Sequence, residues 1–199
     1  MKNIAKLLAL SLTVLLPAAA PAANATSKNY IRLNAIHVTP GGGDIGDLLD
    51  SGIGAQFAFG RDFRFGDGKS GLQVDFVEIS HVKLKGEGTL YGYHLTGSLE
   101  ETPVLASVRY ALNLGEKWSI SFGPSLGFTF VTGDTSVTTS DDDTVFTWAL
   151  GAMVSYNVSD NVSIEAGYRH VRQGDIEFDL ITITDSRADI FQVGVRFKW

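Results

Sequence analysis

The sequence predicts an all-β fold: eight antiparallel strands in an up-and-down meander, closed into a barrel that crosses a membrane. Three observations predict it. Apolar and polar residues alternate strictly over segments longer than ordinary strands. The connections alternate between long and short. One face of the alternation is also too bulky for the interior of a narrow barrel.

The first segment is read separately. Lys2 and Lys6 precede the apolar run LLALSLTVLL, and Ala23-Asn24-Ala25 follows as an A-x-A cleavage site, so residues 1–25 are expected to be a signal peptide. The run is too short for a transmembrane helix, which takes about 20 apolar residues. Residues 26–199 form the expected single barrel domain. Without Lys2 and Lys6, 14 basic side chains face 22 acidic ones, a net charge of −8, which argues against nucleic acid as a partner. The chain has no cysteine, so neither disulfides nor an N-terminal lipid anchor on Cys is expected. Past residue 25 no stretch qualifies as a spanning helix, so any membrane contact is made by strands.

The strands follow in order. Tyr30 to Val38 sets Ile31, Leu33 and Ala35 against Arg32 and Asn34. Gly52 to Gly60 sets Ile53, Ala55, Phe57 and Phe59 against Gly54, Gln56 and Ala58. Leu72, Val74 and Phe76 begin a third strand that then places Glu78 in the apolar register. Either a β-bulge near Phe76–Val77 restores the phase, or the strand has already left the apolar zone. In the fourth, Val104, Ala106, Val108 and Tyr110 oppose Leu105, Ser107 and Arg109. The fifth is the clearest, with Trp118, Ile120, Phe122, Pro124, Leu126, Phe128 and Phe130 against serines, glycines and Thr129. The sixth carries Trp148, Leu150, Ala152, Val154 and Tyr156 on one face, and the seventh Val162, Ile164, Ala166 and Tyr168. The last, IFQVGVRFKW, alternates from Phe191 up to Trp199 itself. Long connections are expected at 39–51, 85–103, 132–144 and 172–187, and shorter ones at 61–70, 113–117 and 159–161. This alternation marks a meander with its long loops at one end.

An eight-stranded barrel has room inside only for its own side chains. The rings of Trp118, Phe122, Phe128, Phe130, Trp148, Tyr156, Phe197 and Trp199 exceed that volume, while the opposite parity fits. A water-facing exterior would carry many Lys and Glu. The rings therefore point outward into lipid, and those near strand ends form two belts. The inward charges are then Arg32, Arg109, Glu165, Arg169 and Arg196, with Gln56 and Gln192. Buried ions need partners, so a polar network centred on Glu165 is expected to plug the lumen; a selectivity filter is the alternative reading.

Gln192, Gly194, Phe197 and Trp199 together resemble the C-terminal assembly signal of bacterial outer-membrane proteins, with Trp in place of the commoner final Phe. Across about 29–199, phrases such as TPVLASVRYALNLGEKWSISFGPSLGFTF and IEAGYRHVRQGDIEF are similar to the small eight-stranded barrels: the OmpA transmembrane domain, OmpX, the opacity proteins and OmpW. The resemblance implies location in the bacterial outer membrane, short periplasmic turns and long extracellular loops. It also implies outer-membrane lipids and lipopolysaccharide as surroundings, the barrel assembly machinery as a partner during insertion, and an extracellular ligand held by the loops. No peptidoglycan-binding domain is expected after the barrel.

Gly41-Gly-Gly43-Asp-Ile-Gly46 matches G-x-G-x-x-G but lacks the βαβ unit a nucleotide site needs, and reads as a flexible loop. Asp134 and Asp141–Asp143 lack EF-hand spacing, so no metal is expected. Lipid A deacylases share the barrel and use a His-x-Ser pair; here Tyr168-Arg-His170-Val-Arg172 puts Arg172 at the serine position, and acyl transfer lacks its nucleophile. The expectation is a barrel without cofactor or enzymatic activity, in a structural or surface-interaction role. A channel for small hydrophobic compounds, as in OmpW, is the alternative, and a deacylase-like enzyme the remote one.

Overall fold

The computed structural model describes residues 26–42, 49–66, 68–90, 93–135, 138–177 and 182–199. The predicted signal segment, 1–25, and most of the glycine motif (43–46) lie outside them. Ten strands are described: β1 (Thr26–Gly41), β2 (Gly52–Arg64), β3 (Ser70–Leu90), β4 (Tyr93–Asn113), β5 (Trp118–Thr135), β6 (Thr138–Asn157), β7 (Val162–Gln173), β8 (Ile176–Glu177), β9 (Thr182–Ile183) and β10 (Arg187–Lys198). Eight of them close a barrel in the order β1-β10-β7-β6-β5-β4-β3-β2, while β8 and β9 pair only with each other. Every barrel pairing is antiparallel between chain neighbours, the β8–β9 hairpin aside, except β1 with β10, which shuts the cylinder. At that seam Asn29 and Trp199 exchange both backbone hydrogen bonds, each at 3.0 Å.

The period-2 pattern sorts the faces as the ring-volume reasoning requires. Phe122, Trp148 and Val193 are 49, 37 and 55 % exposed on the outside, while Ser121 is 2 % exposed within. Rings meet across strands in belts: Trp118 with Tyr156 at 4.9 Å, Phe59 with Trp199 at 6.5 Å and Tyr110 with Phe122 at 5.9 Å toward the short-turn end, and Phe128 with Phe146 at 6.0 Å toward the other. These centroid distances are those of tilted and edge-on ring pairs.

Between the alternatives for the third strand, the geometry selects the bulge. Phe59 pairs with Val77 but Gly60 with Asp75, and the β3–β4 register shifts between Asp75 and Glu78. Two consecutive apolar residues, Phe76 and Val77, thereby face outward, and Glu78 turns into the lumen beside Asp75.

The expected connections are corrected. Residues 85–103 and 132–144 belong mostly to strands: β3 and β4 pair up to Leu90 with Tyr93, and β5 and β6 up to Thr135 with Thr138. Their Gly, Asp and Thr content suggested loops, but a hairpin neighbour satisfies the backbone whatever the side chain. β2 likewise runs on to Arg64, shortening the turn expected at 61–70. The segment 172–187 holds the small β8–β9 hairpin, absent from the sequence reading.

Beyond the outer aromatic belt the faces exchange character. His37, Thr39, His81, Lys83, Glu100 and Arg172 point outward, with Lys83 and Glu100 paired at 2.7 Å. Inside lies an aliphatic core of Ile36, Val38, Val82, Leu84, Leu99, Val131, Val145, Val171 and Ile190, closed over by Ile176 of β8 and Ile183 of β9. Above the membrane the exterior is water, and only there does burying apolar side chains inside the barrel yield a hydrophobic gain.

Candidate functional site: the barrel lumen

The inward face of the lower lumen is short and polar, apart from a set of long charged side chains. Arg32 of β1 is their hub. Its Nη2 donates to Asp75 at 3.0 Å and to Glu78 at 3.1 Å, and its Nη1 lies 3.9 Å from Glu165. Asp75 also accepts from the Tyr30 hydroxyl at 2.5 Å and from Ser107, and pairs with Arg109 at 2.9 Å. Glu78 takes both terminal nitrogens of Arg169, one of them at 2.8 Å, in a forked pair. Glu165 accepts from Ser155 at 2.8 Å and pairs with Arg196 at 3.0 Å, and the Arg196 guanidinium lies 5.4 Å from the Tyr30 ring centre. The network draws on β1, β3, β4, β6, β7 and β10, so it ties six of the eight barrel strands together across the interior.

All five charged residues expected inside, Arg32, Arg109, Glu165, Arg169 and Arg196, stand in this one network and are buried. The expected centre is corrected: Arg32, not Glu165, touches all three acids, because the bulge brings in Asp75 and Glu78. The signal that could have found those two is the apolar doublet Phe76–Val77 beside an acid on either side. Gln56 and Gln192 also face inward, and Gln56 accepts from Asn34 at 2.6 Å. Four arginines against three acids leave a formal excess of one positive charge. Each acid nonetheless has an arginine of its own: Asp75 with Arg109, Glu78 with Arg169, and Glu165 with Arg196.

The upper lumen differs in kind. Within its aliphatic lining sit Glu101, buried, and Gln173, whose Nε2 donates to Glu101 at 3.1 Å. Two cavities of about 20 Å³ each adjoin this pair. One lies beneath Ile176 and Ile183, and the other runs down to Arg169.

Other candidate residues stand apart. Among the C-terminal signal residues, Gln192 faces the lumen, while Phe197 and Trp199 face out. Gly194 lies opposite Asn34 across the seam, where an added Cβ would come within 2.0 Å of the Leu33 carbonyl oxygen. His170 faces outward, 2.8 Å from Asp189, which also accepts from the Tyr168 hydroxyl at 2.6 Å. Among the described residues no serine joins them, and Arg172 lies 3.8 Å from Asp185. Asp142 and Asp143 accept from Thr132 and from the Glu177 backbone, each at 2.7 Å. Among the described residues no three His, Asp or Glu side chains gather as a metal site.

Several solved structures share this architecture. Neisserial surface protein A superposes with a TM-score of 0.60 at 19 % identity, over 87 % of this chain and 99 % of its own. OprG of Pseudomonas aeruginosa gives 0.52 at 12 %, over 88 and 97 %. Ail of Yersinia pestis, solved with the heparin analogue sucrose octasulfate, gives 0.50 at 14 %, over 87 and 97 %. At these identities the likeness is one of fold. Among curated proteins no sequence matches this one. The model of the outer membrane protein beta-barrel domain, however, matches residues 8–198. With its closed eight-stranded wall and outward belts of rings, the chain belongs to that family and resides in the bacterial outer membrane.

Proposed function

We propose that this barrel is closed to ions and water, is not an enzyme, and serves a structural or surface-interaction role through the strands that project above the membrane. The observation that carries this reading is the arginine–carboxylate network, whose ion pairs reach across the interior of a barrel of eight-stranded width. Enzymatic chemistry finds no support at His170, whose neighbours are a carboxylate and a phenol rather than a nucleophile.

The extended β3–β6 sheet displays Asp134, Asp141, Asp142 and Asp143, with Asp175 and Glu177 nearby. Ail carries a polyanion analogue in its solved complex. Here the acidic display favours a neutral or basic extracellular partner instead. Around the wall the partners are outer-membrane lipids and lipopolysaccharide. During insertion the assembly machinery reads Gln192, Gly194, Phe197 and Trp199. No nucleic acid is bound.

Single-channel recording in planar bilayers tests the closed reading. The wild type should show no defined openings, and Glu78→Ala combined with Arg169→Ala should introduce them. Regular wild-type openings would refute it. A second reading, passage of small hydrophobic compounds, draws support from the aliphatic upper lumen, but the ionic network lies across the axial path below it.

A further inference from the structure

The upper lumen holds a buried acid that the network below does not use. Among the described residues, no Lys, Arg or His approaches Glu101 within ion-pair distance; Arg169, which lines the lower cavity, is taken by Glu78. Arg187 lines the upper cavity without pairing to Glu101. Glu101 therefore keeps one amide donor, Gln173, within walls of Ile36, Val38, Val82, Leu84, Leu99, Val171 and Ile190. A carboxylate in such surroundings is costly without a cation. A lone carboxylate in an apolar chamber is also no place for a metal ion, which needs several oxygen ligands.

We propose that this chamber is a blind binding site for a small molecule with an aliphatic body and one ammonium head, the head pairing with Glu101 and the body replacing Ile176 and Ile183. The two isoleucines now fill the space such a body would take. Their side chains supply eight carbons, which sets the ligand's scale, because the cavities that remain hold little more than one water each.

The hairpin that carries them is joined to the barrel by few hydrogen bonds among the described residues. β8 and β9 pair at two positions with each other and not with the barrel. Among the described residues, the hydrogen bonds at the hairpin and its flanks are Glu177 N to Asp143, Gly174 N to the Phe146 carbonyl, Gln173 N to the Ser186 carbonyl, and Ser186 Oγ to Gln173, and Arg172 lies 3.8 Å from Asp185. The site is blind because it rests on the proposed closed network as its floor. Ligand capture and conductance are nevertheless read separately, so either can fail alone.

The test uses the protein in lipid nanodiscs, free of alkyl detergent, titrated calorimetrically with hexylammonium, 1-hexanol and hexanoate, with empty nanodiscs subtracted. Hexylammonium should bind saturably, at least tenfold tighter than either analogue. Glu101→Gln, close in volume, should abolish that preference while keeping the heat-modifiable gel mobility of a folded barrel. Ile176→Ala with Ile183→Ala should tighten hexylammonium binding. Equal binding of the alcohol, a preference for the carboxylate, or an unchanged preference in Glu101→Gln would each overturn the proposal. So would binding weakened by the isoleucine variant.

Discussion

Glu78→Gln changes one atom type and almost no volume, yet it should be among the most damaging single substitutions in the barrel. Arg169 is buried, and Glu78 is its ion-pair partner. Removing one member of a buried pair leaves the other charge uncompensated, at about 3–5 kcal/mol, or about a hundred- to several-thousand-fold in the folding equilibrium. Arg32→Met breaks more contacts but should cost less. Asp75, Glu78 and Glu165 would each retain an arginine, and the network would become formally neutral. Glu78→Met with Arg169→Met should recover most of the loss, since a well-packed apolar pair often replaces a buried ion pair without penalty. The assay is urea unfolding in lipid vesicles, followed by the mobility difference between folded and boiled protein. If Arg32→Met proves worse than Glu78→Gln, or if the double substitution is no better than the single one, charge balance does not govern this network and the reasoning fails.

Two further outcomes follow from the wall. Gly194→Val should prevent β1–β10 closure, because its Cβ would meet the Leu33 carbonyl at 2.0 Å and the Asn34 backbone at 2.7 Å; loss of the heat-modifiable band in refolding trials checks it, and normal refolding refutes it. Leu126→Arg places a cation on the lipid face about midway between the belts. It should cost about 2–4 kcal/mol in vesicles, against a much smaller loss for Thr132→Arg above the outer belt, and equal losses would contradict the assigned membrane level.

Much of the lower barrel was legible because lipid and lumen make opposite demands on alternate residues. Arg109 and Arg169 could be placed inside from the parity of Tyr110 and Tyr168 alone. Asp75 and Glu78 could not be placed together. They sit three apart, an odd spacing that puts them on opposite faces of a regular strand, and only the extra outward residue at Phe76–Val77 reunites them. The upper barrel is less legible for a different reason. Ile36 and Val38 share the parity of Arg32, so they face inward, while His37 and Thr39 face out. The apolar residues change faces where the outer medium changes from hydrocarbon to water, and alternation does not say where that level lies. Glu101 is not legible because its Gly- and Thr-rich stretch predicts a loop, where an acid is ordinary.

The division of the lumen into an ionic half and an aliphatic half then has one physical origin. A chain without cysteine has no disulfides to lock its strands. Where hydrocarbon surrounds the wall, turning aliphatic side chains inward gains little, since the outside is equally apolar. What distinguishes inside from outside at that depth is polar pairing, and an interior salt link also bridges strands that are not neighbours, as Glu78 of β3 with Arg169 of β7 does. Above the membrane the preference inverts: water outside restores the hydrophobic gain, and the core of Val38, Leu84, Val131 and Ile190 forms there. Glu101 breaks the rule of its own half, an acid placed where burial favours aliphatic residues. In the lower half every buried acid among the described residues is matched by an arginine from the same chain, so the partner Glu101 lacks is the feature that points to a cation from outside.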